Sequence, residues 1–270
     1  MNARDAISSA IRAAAAQGEP ALVAFLTAGY PSREKFRQHL QAVAAGADVV
    51  EIGVPFTDPM ADGVTIQRSS REALAQGVSL RWIFAELEAM PRLQTPLLLM
   101  SYLNPLLAFG IKRLAQTAAR AGVSGFIVPD LPLDESQELR AALDEHRIAL
   151  VQMVTPVTKP ERMRQLCAGS QGFVYAVTMT GTTGKHVAVP AEVTRYLDGV
   201  RELASVPVCA GFGIRSREQV ELLRGHVDGV VIGSALVEVL ERGEDATQWL
   251  RKLRKPAPSE KDATHPPPPR

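Results

Sequence analysis

The chain lacks an excess of either charge. Its 30 Lys and Arg stand against 29 Asp and Glu, a formal net charge of +1. Proteins that hold nucleic acid or anionic membrane surfaces need a basic excess, so neither class fits. Cysteine is scarce as well. Only Cys167 and Cys209 are present, with no CxxC pair and no His/Cys cluster, which removes zinc sites and disulfide frameworks from the expectations. Both lie in apolar runs (RQLCAG, VPVCAG) and read as buried free thiols. No apolar run approaches the ~20 residues that span a bilayer. The opening MNARDAISSAIRAAAAQG has no long apolar core and reads as an extra N-terminal helix, not a secretion signal, so a cytoplasmic location is expected. The histidines show no metal-ligand spacing, and no GxSxG elbow or P-loop occurs.

What the sequence does have is a recurring unit. Eight short runs rich in β-branched and aliphatic residues lie at 21–27, 47–53, 96–102, 124–130, 148–154, 172–178, 206–212 and 228–234. Helical patterns separate them, several opening on Ser or Asp with acids in the first turn, as at Ser32, Asp134 and Ser216. Many of the runs are apolar throughout, the mark of parallel strands covered on both faces. Eight such units fit a closed α/β barrel, the (β/α)8 or TIM barrel, as a single domain over 1–255. An open doubly wound sheet shares the local pattern, but the count of eight favours the barrel. A cadence in GADVVEIG returns weakly in GVSGFIVPD and HVDGVVIGS. The stretch 256–270, rich in proline and without apolar periodicity, is expected to be a disordered tail.

The second run carries the chemistry. In VVEIGVPFTDPMADG, alternation puts Val49, Glu51 and Gly53 on the inner face of a barrel strand and Val50 and Ile52 toward the helices. Glu51 then points inward near the C-terminal end, where barrel enzymes place catalytic groups. A carboxyl among apolar walls keeps its proton toward neutral pH and can deliver it. The competing reading is a Glu paired with a buried Arg or Lys across the barrel. Asp58 and Asp62 follow on a loop stiffened by Pro55 and Pro59 and turned at Gly63. Asp62 could cap the helix beginning near Thr65, or reach the same mouth and orient a substrate N–H or O–H.

Glycines gather after strands six, seven and eight: TGTTG at 180–184, Gly211 and Gly213, and Gly233 before Ser234. Barrels often hold phosphate there on backbone N–H groups at a helix N-terminus. Phe25, Tyr102, Ile127, Pro129 and Tyr175 stand near strand ends and together could wall a pocket for an aromatic ring.

The segments AFLTAGYPS, VVEIGVPFTDPMADGVTIQRS, SYLNPLLAFG, GFIVPDLPLDES, TGTTG, VCAGFGIRSREQV and VVIGSALVEVL, in this order, resemble the tryptophan synthase alpha chain family. The resemblance implies a lyase that cleaves indole-3-glycerol phosphate to indole and glyceraldehyde 3-phosphate without a cofactor of its own. It also implies a beta-chain partner carrying pyridoxal phosphate, in an α2β2 assembly. A free-standing lyase and a non-catalytic activating subunit are the alternatives. By resemblance, Glu51 is the acid/base acting at the indole ring carbon and Asp62 engages the indole N–H. Phe25, Tyr102, Ile127, Pro129 and Tyr175 line the pocket, and Thr183 closes over it. Gly184, Gly213, Gly233 and Ser234 hold phosphate, while Asp58 and Asp130 serve lid contact and signalling to the partner. Val64 stands where the family usually has Pro, and Thr182 where it commonly has Val.

Overall fold

The computed structural model describes residues 2–178, 189–211 and 213–254. Eight strands form one closed parallel barrel in chain order: β1 (Ala21–Thr27), β2 (Val49–Gly53), β3 (Leu97–Met100), β4 (Val123–Ile127), β5 (Ala149–Val154), β6 (Val174–Val177), β7 (Val208–Gly211) and β8 (Gly229–Ile232). Each pairs with the next, and β8 closes on β1 with Ala21 opposite Gly229. β1 matches its apolar run, and the other strands are shorter than theirs: β2 and β5 lose residues at the start, β4 and β8 mainly at the end, and β3, β6 and β7 at both.

The helices among the described residues are α1 (Ala3–Ala16), α2 (Phe36–Ala44), α3 (Val64–Ala75), α4 (Leu80–Glu88), α5 (Leu103–Phe109), α6 (Ile111–Ala121), α7 (Gln137–Glu145), α8 (Pro160–Gly169), α9 (Ala191–Leu203), α10 (Arg217–Leu223), α11 (Ser234–Glu241) and α12 (Ala246–Lys252). Of the three helix starts expected at Ser or Asp, only Ser216 holds as an N-cap with a capping box, closed by Gln219. α2 begins four residues after Ser32, whose hydroxyl donates to Glu34 at 2.7 Å. Asp134 lies in a 3-10 turn, and α7 starts behind it at Gln137.

Alternation along the strands splits the apolar residues into two compartments. Leu22, Ala24, Leu26, Val50, Ile52, Leu97, Leu99, Phe126 and Leu150 pack outward against the helices. Val23, Val49, Leu98, Ile127, Ala149, Val151, Phe173 and Cys209 fill the interior, where α1 plugs the N-terminal end with Ile7, Ile11 and Ala14. Ile7 and Ile11 have no exposed surface, and burying each is worth about 1.5–3 kcal/mol. Ser8 pins the plug by donating to the Gly172 carbonyl at 2.6 Å.

The cadence before strands two and eight has a physical basis. Asp48 accepts the Leu22 N–H at 2.7 Å, and Asp228 accepts the Val208 N–H at 2.8 Å. Each therefore caps the preceding strand, and each pairs with an arginine, Arg254 and Arg201 respectively.

Candidate active site

At the C-terminal end of the barrel the inner residues stop filling the interior and surround a cavity of about 510 Å³. Glu51 lies in its wall, only 1% exposed. Its Cα neighbours are Phe25 on β1 and Leu98 on β3. Among the described residues no ion pair involves Glu51, and its Oε2 is buried without a hydrogen-bond partner. The paired-cation reading of Glu51 finds no support there. Burial, then the neighbouring negative charge of Asp62, pushes its pKa up to about 8.

Asp62 reaches the same cavity from the loop between β2 and α3. It does not cap α3: the N-cap is Gly63, which offers no side chain. The loop is held from several sides. The Tyr102 hydroxyl accepts the Ala61 N–H at 2.9 Å, Ser70 Oγ accepts the Phe56 N–H at 2.9 Å, and Gln67 donates to the Asp62 carbonyl at 2.8 Å. The Phe56 and Tyr102 rings stack with centroids 5.1 Å apart. Burial raises the Asp62 pKa to about 6, and hydrogen bonding from Tyr102 opposes the rise. Two carboxyl groups facing one cavity thus titrate apart, so between about pH 6 and pH 8 Glu51 holds a proton while Asp62 is ionised.

The aromatic walls depend on glycine. A Cβ at Gly53 would stand 2.4 Å from the Phe25 ring, and one at Gly211 would stand 2.8 Å from the Tyr175 hydroxyl. Those two glycines let the rings of neighbouring strands lie across them. Tyr175 is pushed well above its ordinary pKa, first by burial and then by Glu51, and stays a neutral phenol.

The opposite rim is made of backbone. Gly213, Gly233 and Ser234 line the cavity, with no Lys or Arg among its described lining residues. Gly233 caps α11, and its carbonyl accepts the Leu236 N–H at 2.9 Å. The first N–H groups of a helix have no partner within it and carry its positive end, a ready site for an anion.

The structure brings Glu51, Asp62, Phe25, Pro129, Tyr175, Gly213, Gly233 and Ser234 to one cavity. Tyr102 lines a small adjoining pocket with Asp62 and Phe25. Ile127 does not line the cavity: it is fully buried in the interior layer beneath, and Pro129, two residues on, reaches the wall in its place. Asp58 is exposed on the β2–α3 loop. Asp130 accepts the Leu103 N–H at 2.9 Å and so fixes the start of α5. Thr182, Thr183 and Gly184 lie outside the described residues, as does the proline-rich stretch 256–270. Met100, Met153 and Val231 also line the cavity, and sequence reasoning missed them. Strand parity could have put them on the inner face, since each is an even number of residues past the inward Leu98, Ala149 and Gly229, but not at the height of the cavity. Among the described residues no cluster of His, Cys, Asp or Glu could hold a metal, and no helix is long and apolar enough to cross a membrane.

At the level of class, this is a (β/α)8 barrel with two carboxyl groups and a glycine-rich rim around one cavity at the C-terminal ends of its strands. Comparison with known proteins gives the particular family. The family model described as tryptophan synthase alpha chain matches residues 11–265. The alpha chain of Nitratidesulfovibrio vulgaris strain Hildenborough is 47% identical over 243 residues, covering 89% of this chain and 95% of that one. That of Bacillus mycoides is 45% identical, covering 86% and 90%. The aminoacrylate-bound structure of tryptophan synthase from M. tuberculosis superimposes with a TM-score of 0.83 at 33% identity, over 92% of this chain and 97% of that chain. The chain belongs to the tryptophan synthase alpha chain family. Its reaction is the alpha reaction of tryptophan biosynthesis, lyase cleavage of indole-3-glycerol phosphate to indole and glyceraldehyde 3-phosphate. Neither the free-standing lyase nor the non-catalytic subunit is favoured.

Proposed function

We propose that Glu51 and Asp62 divide the chemistry of this cleavage. The observation that carries the reading is the buried, cation-free Glu51 carboxyl in the cavity wall. The bond to break joins the indole C3 to the carbon bearing the first glycerol hydroxyl. Glu51, holding its proton to about pH 8, delivers it to C3. Positive charge then develops toward the indole nitrogen, where the Asp62 carboxylate accepts the N–H and stabilises it. The Glu51 carboxylate left behind takes the proton of the hydroxyl. The carbonyl forms, the carbon–carbon bond breaks with its electron pair returning to the ring, and Glu51 is protonated again. Protons balance within one residue, so the reaction asks for no cofactor of this chain.

Gly213, Gly233 and Ser234 cradle the phosphate, supported by the open N-terminus of α11. Phe25, Tyr175, Met100 and Met153 enclose the ring. Tyr102 holds the Asp62 loop through Ala61.

The partner is a beta chain carrying pyridoxal phosphate, in an α2β2 assembly in the cytoplasm. Support comes from apolar side chains left in solvent on mouth-side elements: Met60 is 85% exposed, Val64 81% and Leu107 52%. Asp58 shares the loop of Met60, and Asp130 ties the loop after β4 to α5, which carries Leu107. Both are placed to report on that surface.

The test is the pH profile of indole release from indole-3-glycerol phosphate. A bell with limbs near 6 and 8 is expected, the acid limb from Asp62 and the alkaline limb from Glu51. Asp62→Asn removes the negative charge that raises Glu51, so the alkaline limb moves to lower pH. A profile flat through both limbs, or an unmoved alkaline limb in Asp62→Asn, contradicts the assignment.

A further inference from the structure

Three segments that are distant in sequence meet at the phosphate side of the mouth: the loop after β7, the start of α11, and the start of α3 directly behind Asp62. Arg215 leaves the β7 loop two residues past Gly213. Its guanidinium is held by Glu238 of α11 through two parallel bonds, Nη1 to Oε2 at 2.7 Å and Nη2 to Oε1 at 2.9 Å. Such a fork fixes orientation as well as distance. The Arg215 backbone is fixed too, its N–H donating to Gln219 at 2.7 Å. Glu238 stands one turn past Ser234, and its Oε1 also lies 3.5 Å from Thr65 Oγ1 on α3. One turn further along both helices, Arg68 of α3 donates to Glu241 of α11 at 2.6 Å.

We propose that Arg215 and Glu238 are positioning residues for the alpha reaction, a strap that sets the two anion-holding arms, Gly213 and the α11 N-terminus, at a fixed separation. Thr65 and the Arg68–Glu241 pair dock the strapped unit on α3. The inference rests on the reading of Gly213, Gly233 and Ser234 as the phosphate cradle. No Lys or Arg side chain is among the described residues lining that cradle. A phosphate held by backbone N–H groups from two separate strand ends is bound well only while both arms converge on it, because backbone donors cannot reach out as a lysine does. Small misplacements of such arms weaken binding steeply. Arg215 faces Glu238 and is absent from the cavity lining, so its contribution goes through the geometry of the arms and not through contact with the anion.

The direction of synthesis separates the two substrates and so isolates the effect. With indole and glyceraldehyde 3-phosphate as separate reactants, Arg215→Ala and Glu238→Ala should each raise KM for glyceraldehyde 3-phosphate roughly three- to tenfold, the range of a networked pair, and leave KM for indole unchanged. Arg215→Glu should be worse than either. Joining it with Glu238→Arg should bring KM for glyceraldehyde 3-phosphate back toward wild type, a recovery that mere loss of folded protein cannot mimic. Thermal midpoints taken alongside confirm that each variant is folded. Unchanged KM in the single variants, a parallel rise in KM for indole, or a double variant no better than the singles each overturns the strap. Inorganic phosphate distinguishes the two readings. If it fails to compete with glyceraldehyde 3-phosphate in the wild type, the cradle itself is wrong. If it competes as well against Arg215→Ala as against wild type, the cradle stands and the strap falls.

Discussion

The floor and the mouth of this barrel are lined by the same strands in the same parity, one layer apart. Val23 sits opposite Val49 on the floor, and two residues on Phe25 sits opposite Glu51. The floor is wholly apolar, stoppered by Ile7 and Ile11, and has no exposed surface at either residue. The mouth keeps the same enclosing walls but adds a carboxyl and about 510 Å³ of space. The difference shows how stability and chemistry are divided along one axis. The floor dries the layer above it, and the dryness is what loads Glu51 with its proton. The mouth carries the cost of that arrangement, and the floor offsets it.

Converting the mouth toward the floor is the strongest way to break this contrast. Folded Glu51 holds its proton to about pH 8, whereas in the unfolded chain it is released near the ordinary value of 4.5. Below the lower value both states are protonated and burial of the acid carries no ionisation cost. As pH rises toward the upper value the unfolded state is increasingly favoured. Glu51→Gln removes that cost. We expect the variant to be more stable than wild type at pH 8, by on the order of 3 kcal/mol, and the gap to shrink toward pH 5. Indole release should fall about a thousandfold in the same protein. Urea midpoints at the two pH values and kcat decide it. A stability gap that does not widen with pH would mean that burial is not what holds the proton.

The floor should respond in the opposite sense. Ile11→Ala empties part of the plug and should lower stability by about 2–4 kcal/mol. Well below the unfolding temperature, kcat should stay close to wild type, because Ile11 belongs to the plug and does not line the cavity. A large loss of kcat with modest destabilisation would show that the two layers are not separable.

Much of this contrast is legible in the sequence. Eight apolar runs announce the barrel, and alternation along VVEIG is enough to turn Glu51 inward. The layer to which a residue belongs is not legible, because barrel strands are staggered and distance from the end of a run does not give height along the axis. Ile127, near the end of its run, therefore falls on the floor, while Pro129 beyond it reaches the cavity. Met100 and Met153 are hidden by chemistry rather than geometry, since a methionine in a strand reads as core wherever it stands. Local polar bonding hides the helix starts: the Ser32 hydroxyl donates to Glu34 and accepts the Lys35 N–H in a turn ahead of α2, and Gly63 takes the cap position that Asp62 could have filled. The Arg215–Glu238 fork joins residues 23 apart on separate elements, and nothing local in either segment announces it.

Glycine gives the finest version of the comparison. On the floor, a Cβ at Gly125 would stand 2.5 Å from Leu98 Cδ2 and 3.1 Å from both Ala149 Cβ and Ile7 Cδ1, so that glycine makes room for neighbours already present. At the mouth, a Cβ at Gly233 meets nothing within 4 Å. The space beside Gly233 belongs to the cavity, and under the cradle reading it belongs to the phosphate. Gly233→Ala should leave the folding free energy within about 0.5 kcal/mol of wild type. It should raise KM for the phosphorylated substrate by roughly three- to tenfold, the worth of one weakened hydrogen bond, as the added methyl pushes the anion off the helix N-terminus. Steady-state kinetics with a melting curve on the same preparation reads both quantities. A drop in the melting temperature with KM unchanged would assign Gly233 to packing, alongside Gly125, and move the boundary between floor and mouth one layer higher.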